Sequence, residues 1–132
     1  MNNASTPIYC ADVVARYGNG RIVIVDRLSS MKGFALPGGK QEGSELLSET
    51  AIREFREETG LEEITVGDAI DVRISDDGTK YVVTFWCIAR GTPAITLSFE
   101  HEAYAWVALE ELDDYPFWHP SIPERIRAAS EF

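Results

Sequence analysis

Residues 39–61 read Gly39-Lys40-Gln41-Glu42-Gly43-Ser44-Glu45-Leu46-Leu47-Ser48-Glu49-Thr50-Ala51-Ile52-Arg53-Glu54-Phe55-Arg56-Glu57-Glu58-Thr59-Gly60-Leu61. With Gly38 ahead of it, the stretch through Gly43 is a glycine-rich loop. A helix then begins between Ser44 and Ser48 and runs to Thr59, with Gly60 as its stop, because glycine accepts the left-handed backbone that closes helices. At about 100° per residue, Ala51, Ile52, Phe55 and Thr59 share one arc, which predicts the core-facing side. Glu54, Glu57 and Glu58 are spaced by three and four residues and share the neighbouring arc. Like charges so placed repel, at a cost of a few tenths of a kcal/mol per pair. Arg53 and Arg56 are expected to project from other sides and to relieve only part of this repulsion. A face of three carboxylates invites a cation.

Outward from this helix, the chain reads as strands. Ile8 to Arg16 is an apolar, β-favouring run, Tyr17-Gly18-Asn19-Gly20 is a turn, and Arg21 to Arg27 is a second apolar run, which together predict a largely buried hairpin. Leu28 to Phe34 is loop-like, and Ala35-Leu36-Pro37 predicts a short strand stopped by its proline. Past the helix come an irregular strand region from Ile64 to Ile74, a turn at Ser75-Asp76-Asp77-Gly78, and strands from Lys80 to Ala89 and from Ala103 to Ala108. Ser121-Ile122-Pro123-Glu124 has the Ser-x-x-Glu spacing of a capping box and opens a terminal helix through Ala129. Strands interrupted by one long helix and closed by another predict an α/β (α+β) fold with helices on both faces of a mixed sheet.

Composition sets the outer bounds. The 132 residues suit one compact domain, residues 1–132, and the 45% apolar content is that of a folded chain. Twelve Lys plus Arg against 22 Asp plus Glu, a net charge of −10, argue against a protein that grips a nucleic-acid polymer through massed cations. An anionic substrate that arrives with metal ions remains compatible. Cys10 and Cys87 lie in apolar runs and form no spaced set with histidine, so they read as small core residues in a reducing compartment. No stretch approaches the roughly 18 apolar residues of a membrane span, and Met1 to Ser5 carries no targeting pattern, so a cytoplasmic protein is expected.

The spacing Gly39, five residues, Glu45, seven residues, then Arg53-Glu54-Phe55-Arg56-Glu57-Glu58-Thr59-Gly60-Leu61 fills every fixed position of the Nudix box. Chance agreement at these positions is on the order of 10⁻¹⁰ per starting point at average residue frequencies. The chain therefore resembles a Nudix hydrolase, in its MutT-like branch. The first hairpin, Ala35 to Lys40 ahead of the box, Glu100 six residues before Trp106, and the closing helix all sit where that family has them. Leu46 and Thr50 depart locally, standing where Ser or Thr and Ala are frequent.

The resemblance implies a Nudix-like α/β/α sandwich. It also implies hydrolysis of a nucleoside diphosphate linked to another group, by attack of water on phosphorus with divalent metal ions, Mg²⁺ by preference and Mn²⁺ as a substitute. By the same resemblance, Glu57 and Glu58 match principal metal ligands, Glu54 a further ligand or base, and Gly38 a backbone ligand. Glu45 and Arg53 match a pair that orders loop against helix. Glu100 matches a carboxylate that reaches the metals from a separate loop, and its rival reading is one exposed acid beside His101 and Glu102. The base is thereby left open between Glu54 and Glu100. Gln in place of Glu57 or Glu58 is expected to cost turnover but leave the metal-free melt unchanged or slightly higher, since helix repulsion falls.

Substrate contacts are implied for Arg27, at the end of the second strand, where a surface arginine is the alternative. Phe34 either stacks on a base or joins the core. Trp118 has the chance to border a base pocket. The small one-domain layout favours a nucleoside triphosphate cleaved to monophosphate and pyrophosphate. The proline marking many ADP-ribose hydrolases is absent, with Asp76 and Asp77 in its place, and Tyr81 comes late for a diadenosine polyphosphate hydrolase. His119 stands where an asparagine would read an oxidised guanine, and histidine can still hydrogen-bond a base. ADP-ribose or a dinucleotide polyphosphate as substrate, and a non-catalytic nucleotide-binding regulator, are the rival readings. The expected partner is a small nucleotide, with no nucleic-acid polymer or membrane, for a monomer or homodimer.

Overall fold

The computed structural model describes residues 6–27, 33–91, 93–97 and 101–130, with the side chains of Arg27 and Glu102 outside that description. Among the described residues, seven strands form one mixed sheet: β1 (Ile8–Arg16), β2 (Ile22–Arg27), β3 (Phe34–Ala35), β4 (Gly38–Lys40), β5 (Thr65–Ile74), β6 (Lys80–Ile88) and β7 (His101–Val107). The helices are α1 (Leu47–Thr59) and α2 (Ser121–Ala129), with a 3₁₀ turn at Leu109–Asp114 that the sequence reading did not foresee.

The two runs read as a hairpin meet only at its turn, where Arg16 faces Ile22. β1 instead pairs along its whole length with β6, in parallel, while β2 pairs antiparallel with β7. The arms part because the chain from 34 to 40 serves both: β3 pairs with β2, and β4 pairs with Cys10, Ala11 and Asp12 of β1. Pro37 joins neither strand, yet its carbonyl accepts the Val13 N–H at 3.0 Å. The short strand thus ends at Ala35, ahead of the proline.

Alternation along the strands builds two cores. Ala11, Val13 and Ala15 of β1, Val23 of β2, and Phe85 and Cys87 of β6 pack against Ala51 and Phe55 of α1. Val14, Ile22, Ile24, Trp86 and Val107 face the other way, against Ile122, Ile126 and Ala129 of α2. Helices cover both faces of the mixed sheet, the α/β/α sandwich expected from the sequence. On α1, Ala51, Phe55 and Thr59 are buried as their arc predicts, and Ile52 is half-buried at its margin. Fully burying Phe55 is worth about 3 kcal/mol. Gly60 closes the helix at φ 72°, donating its N–H to Arg56.

The start of α2 corrects the capping-box reading. Ser121 is the first helical residue, after Pro120, and its hydroxyl does not cap the helix. It lies 2.8 Å from Nδ1 of His119 instead. No helix among the described residues is long and apolar enough to cross a membrane.

Candidate active site

The loop before α1 is organised by one carboxylate. Oε1 of Glu45 accepts the Glu42 N–H at 2.8 Å, the Thr50 hydroxyl at 2.8 Å and Nη2 of Arg53 at 2.7 Å, and Oε2 accepts Nε of Arg53 at 3.1 Å. Thr50, one of the two departures from the family pattern, thus adds a hydroxyl donor to this carboxylate. Leu46, the other, has no side-chain oxygen for a cap, and its own N–H is taken by the Glu49 carboxylate at 2.7 Å. The arginine fork holds the carboxyl of Glu45 down to about 2, with the Glu42 N–H adding to the effect. Arg53, so surrounded by acids, is held above its ordinary range.

Arg53 does more than pair with Glu45. Its Nη1 donates to Glu54 at 2.9 Å and lies 3.4 Å from both oxygens of Glu57, and Nη2 also reaches the Lys40 carbonyl at 2.9 Å. The expectation that Arg53 points away from the acidic arc is therefore corrected. A guanidinium carries five donors on a flexible stem, and here it curls along the helix to serve three glutamates and the loop.

Two carboxylates of the arc meet the glycines ahead of the box. Oε2 of Glu58 accepts the Gly38 N–H at 2.8 Å, and a Cβ on Gly39 would fall inside the carboxylate of Glu54. A Cβ on Gly38 would likewise collide with Ala11 and Asp12 of β1. Close approach to the β1 backbone requires glycine at 38, whereas a side chain at 39 would displace the Glu54 carboxylate. Glu57 is exposed, whereas Glu58 is buried. His101, which opens β7, brings Nε2 to 3.7 Å from Oε1 of Glu58. The sequence reads His101 as an isolated histidine with no metal role, and the structure buries it beside Glu58; Glu100, next to it in sequence, lies outside the described residues.

On the other face of the sheet, Gly38, Gly39 and Lys40 wall a cavity of about 350 Å³. Trp118 borders it, as the sequence reading allowed, and so does His119. Both nitrogens of His119 are engaged, however. Nδ1 lies 3.1 Å from the Ser121 N–H, and Nε2 is 2.8 Å from Oδ2 of Asp76. Phe34 packs on the α2-side core, edge-on to Tyr115, and is not part of the cavity lining. Arg27 pairs through its backbone with His101 at the end of β2, and its side chain lies outside the described part. Cys10, read as core, is only half-buried and lines the cavity, whereas Cys87 is buried and its thiol is pushed up to about 12 by desolvation.

The sequence matches the NUDIX domain family over residues 7–127. The chain belongs to this family, the Nudix hydrolases, pyrophosphohydrolases that act on phosphoric anhydrides. No curated protein matches it in sequence. Among solved structures, a MutT protein from Methanosarcina mazei Go1 is similar at 25% identity and TM-score 0.78, covering 98% of this chain and 97% of that one. An Ap4A hydrolase from C. elegans superimposes with TM-score 0.81 at 20% identity, over 93% and 96% of the two chains. The NUDIX domain of NrtR from Shewanella oneidensis, solved with ADP ribose, does so with TM-score 0.80 at 17% identity, over 97% and 89%.

Nudix enzymes in general work with divalent metal ions. Glu54, Glu57 and Glu58 offer hard oxygen donors along one helix arc, and the chemistry of this set fits such an ion. Among the described residues, no three acidic, histidine or cysteine side chains stand grouped as a metal centre. Arg53 donates to Glu54, and the Gly38 N–H to Glu58.

Proposed function

We propose that residues 1–132 form one Nudix domain that hydrolyses a nucleoside triphosphate to the monophosphate and pyrophosphate, with Mg²⁺ held by Glu54, Glu57 and Glu58. The observation that carries the reading is the shared wall: β4 has the acidic arc of α1 on one side and the cavity on the other. A nucleoside seated in the cavity extends its phosphates past Gly38 and Gly39 toward the glutamates. The cavity volume lies at the small end of the range for small-molecule sites, which suits one nucleoside better than two. A bound Mg²⁺ supplies charge neutralisation for the diphosphate and a lowered pKa for a water.

This chain's own residues do the rest. Glu58 and Glu54 place carboxylate oxygens against the glycine backbone, the Gly38 carbonyl is a further oxygen donor, and Arg53 with Glu45 keeps the loop in register with the helix. Either Glu54 or Glu100 takes the proton from the attacking water. Arg27 contacts the substrate, which arrives as a free nucleotide in the cytoplasm. All four box glutamates are present, which argues against a domain that only binds nucleotide.

The test is a panel of nucleoside triphosphates, ADP-ribose, NADH, diadenosine polyphosphates and nucleotide sugars, assayed side by side with Mg²⁺ and with chelator. The expected result is the highest kcat/KM for a triphosphate, release of pyrophosphate and no orthophosphate, and loss of activity with chelator. Turnover of ADP-ribose or a dinucleotide about a hundredfold more efficient than of any triphosphate overturns the substrate assignment. Full activity in metal-free buffer overturns the mechanism.

A further inference from the structure

The cavity contains a charged pair that the chemistry above does not use. Asp12 is the single ionisable residue in the middle of β1, and Arg125 projects from α2. Nη1 of Arg125 donates to Oδ2 of Asp12 at 2.7 Å and to the Thr84 hydroxyl at 2.6 Å, and that hydroxyl donates to Oδ1 of Asp12 at 2.6 Å. Only 13% of the Asp12 side chain and 10% of the Arg125 side chain is exposed, and both line the cavity. An ion pair in such a place contributes little to stability compared with apolar side chains of the same size. Burial in fact pushes the Asp12 carboxyl up, against the pull of Arg125 and Thr84. The pair therefore calls for a reason beyond packing.

Its unused bonding capacity supplies one. Each Asp12 oxygen accepts one bond and keeps a second lone pair. On Arg125, Nε is buried without a partner, and among the described residues Nη2 donates to no protein group. Because Nε is sealed off, the guanidinium offers a ligand only its Nη2 donors. The pair thus presents two acceptors on one carboxylate beside one donor group, in a cavity with Trp118 at its border, Leu36, Val82 and Ile122 in its walls, and the charged Lys40, Arg73, Asp76, Asp77 and Lys80 also in its lining. Apolar walls with an aromatic border suit a flat ring.

We infer that Asp12 and Arg125 determine base specificity, and that the base they select is guanine. Its edge places two adjacent N–H donors, N1–H and the 2-amino group, beside the O6 acceptor. The donors go to the two Asp12 oxygens and O6 takes Nη2 of Arg125. Hypoxanthine lacks one donor of this set. Adenine has a single exocyclic donor beside a ring nitrogen whose lone pair faces either the carboxylate or a lone donor. Cytosine offers one donor and two acceptors, a set that the pair, with two acceptors and one available donor group, does not complement. His119, with both nitrogens held by protein groups, is not needed for the reading.

This inference rests on the cavity being the nucleoside end of the proposed site, and its test does not require turnover. Calorimetry with Mg²⁺ measures binding of the α,β-methylene triphosphates of guanosine, inosine, adenosine and cytidine. We expect the guanosine compound to bind tightest, the inosine compound about tenfold weaker, and the other two weaker by about a hundredfold or more. The double variant Asp12→Asn with Arg125→Gln keeps side-chain volume and removes both charges, and should bring the four within about threefold of one another. Equal binding of guanosine and adenosine compounds by the natural protein overturns the inference, whether or not the variant folds. So does a variant that weakens all four alike and keeps their ranking, which makes the pair a tie between α2 and the sheet. Hydrolysis of triphosphates without base ranking defeats this inference alone, whereas base ranking without triphosphate turnover defeats only the proposed reaction.

Discussion

Glu57 leaves 57% of its side chain in solvent, whereas Glu58 is buried with Oε2 on the Gly38 N–H and Oε1 toward His101. Helix repulsion alone leads one to expect the same behaviour from Gln at either position. The structure separates them. Glu57→Gln removes one exposed charge from a crowded arc, so its metal-free melt should match the unsubstituted protein or lie slightly above it. Glu58→Gln weakens a charge-assisted bond that fixes β4 against α1, and should lower stability by about 1 kcal/mol. In the hydrolysis assay both should lose about a hundredfold or more in kcat, because each withdraws a charge from the metal arc. Metal-free melts and initial rates at limiting Mg²⁺ check the pair; wild-type rates would make Glu57 a solvated side chain only, and Glu58 only a buried tie between β4 and α1.

At the level of the element, α1 and its loop are one unit tied through Glu45. The carboxyl of Glu45 sits near 2 in the folded protein and near its ordinary 4.5 when unfolded, so its contribution is complete above 4.5 and disappears as the pH falls toward 2. Glu45→Gln should accordingly be less stable than the natural protein at about pH 7, with the gap closing progressively between about pH 5 and pH 2. Chemical denaturation across that range measures it. The raised carboxyl of Asp12 tilts the pH dependence the opposite way, but equally in both proteins, so it drops out of the difference. An unchanging gap would mean the loop is held by something other than this charge. The helix and its acidic arc were legible in the sequence because helical periodicity is local, and Gly60 marks its own position through the backbone it permits. The partnering of β1 with β6 was not legible, since two apolar runs joined by a turn look like a hairpin whether or not a third segment separates them. Asp12 and Arg125 escaped notice for a similar reason: each is unremarkable locally, and only the topology brings residues from β1, β6 and α2 to one cavity. The arginine of the box was misjudged because its helical position says where the stem starts and not where five donors end.

Over the whole molecule, the acidic arc and the cavity lie on opposite sides of one glycine strand, so the proposed chemistry and the proposed base selection should be separable by mutation. That layout depends on β1, whose residues 8 to 16 find their main partners at 80 to 88 in parallel register. A contact between segments so distant must wait for a large loop to close, and it is entropy that sets the delay, growing only slowly with loop length but rewarded by no local structure on the way. Until then β1 is bonded only to β2 at the turn and to β4 over Cys10 to Asp12, and the length of its edge that β6 will cover stays open. We expect refolding from denaturant on the millisecond-to-second scale of non-local sheets, slower for substitutions in β6 that face α1 than for those in α2, as stopped-flow fluorescence of the tryptophans can follow. A chain emerging from the ribosome displays β1 long before β6 exists to receive it. For that interval its unpaired edge is an invitation to aggregation, and the cell's holding chaperones are the natural guests.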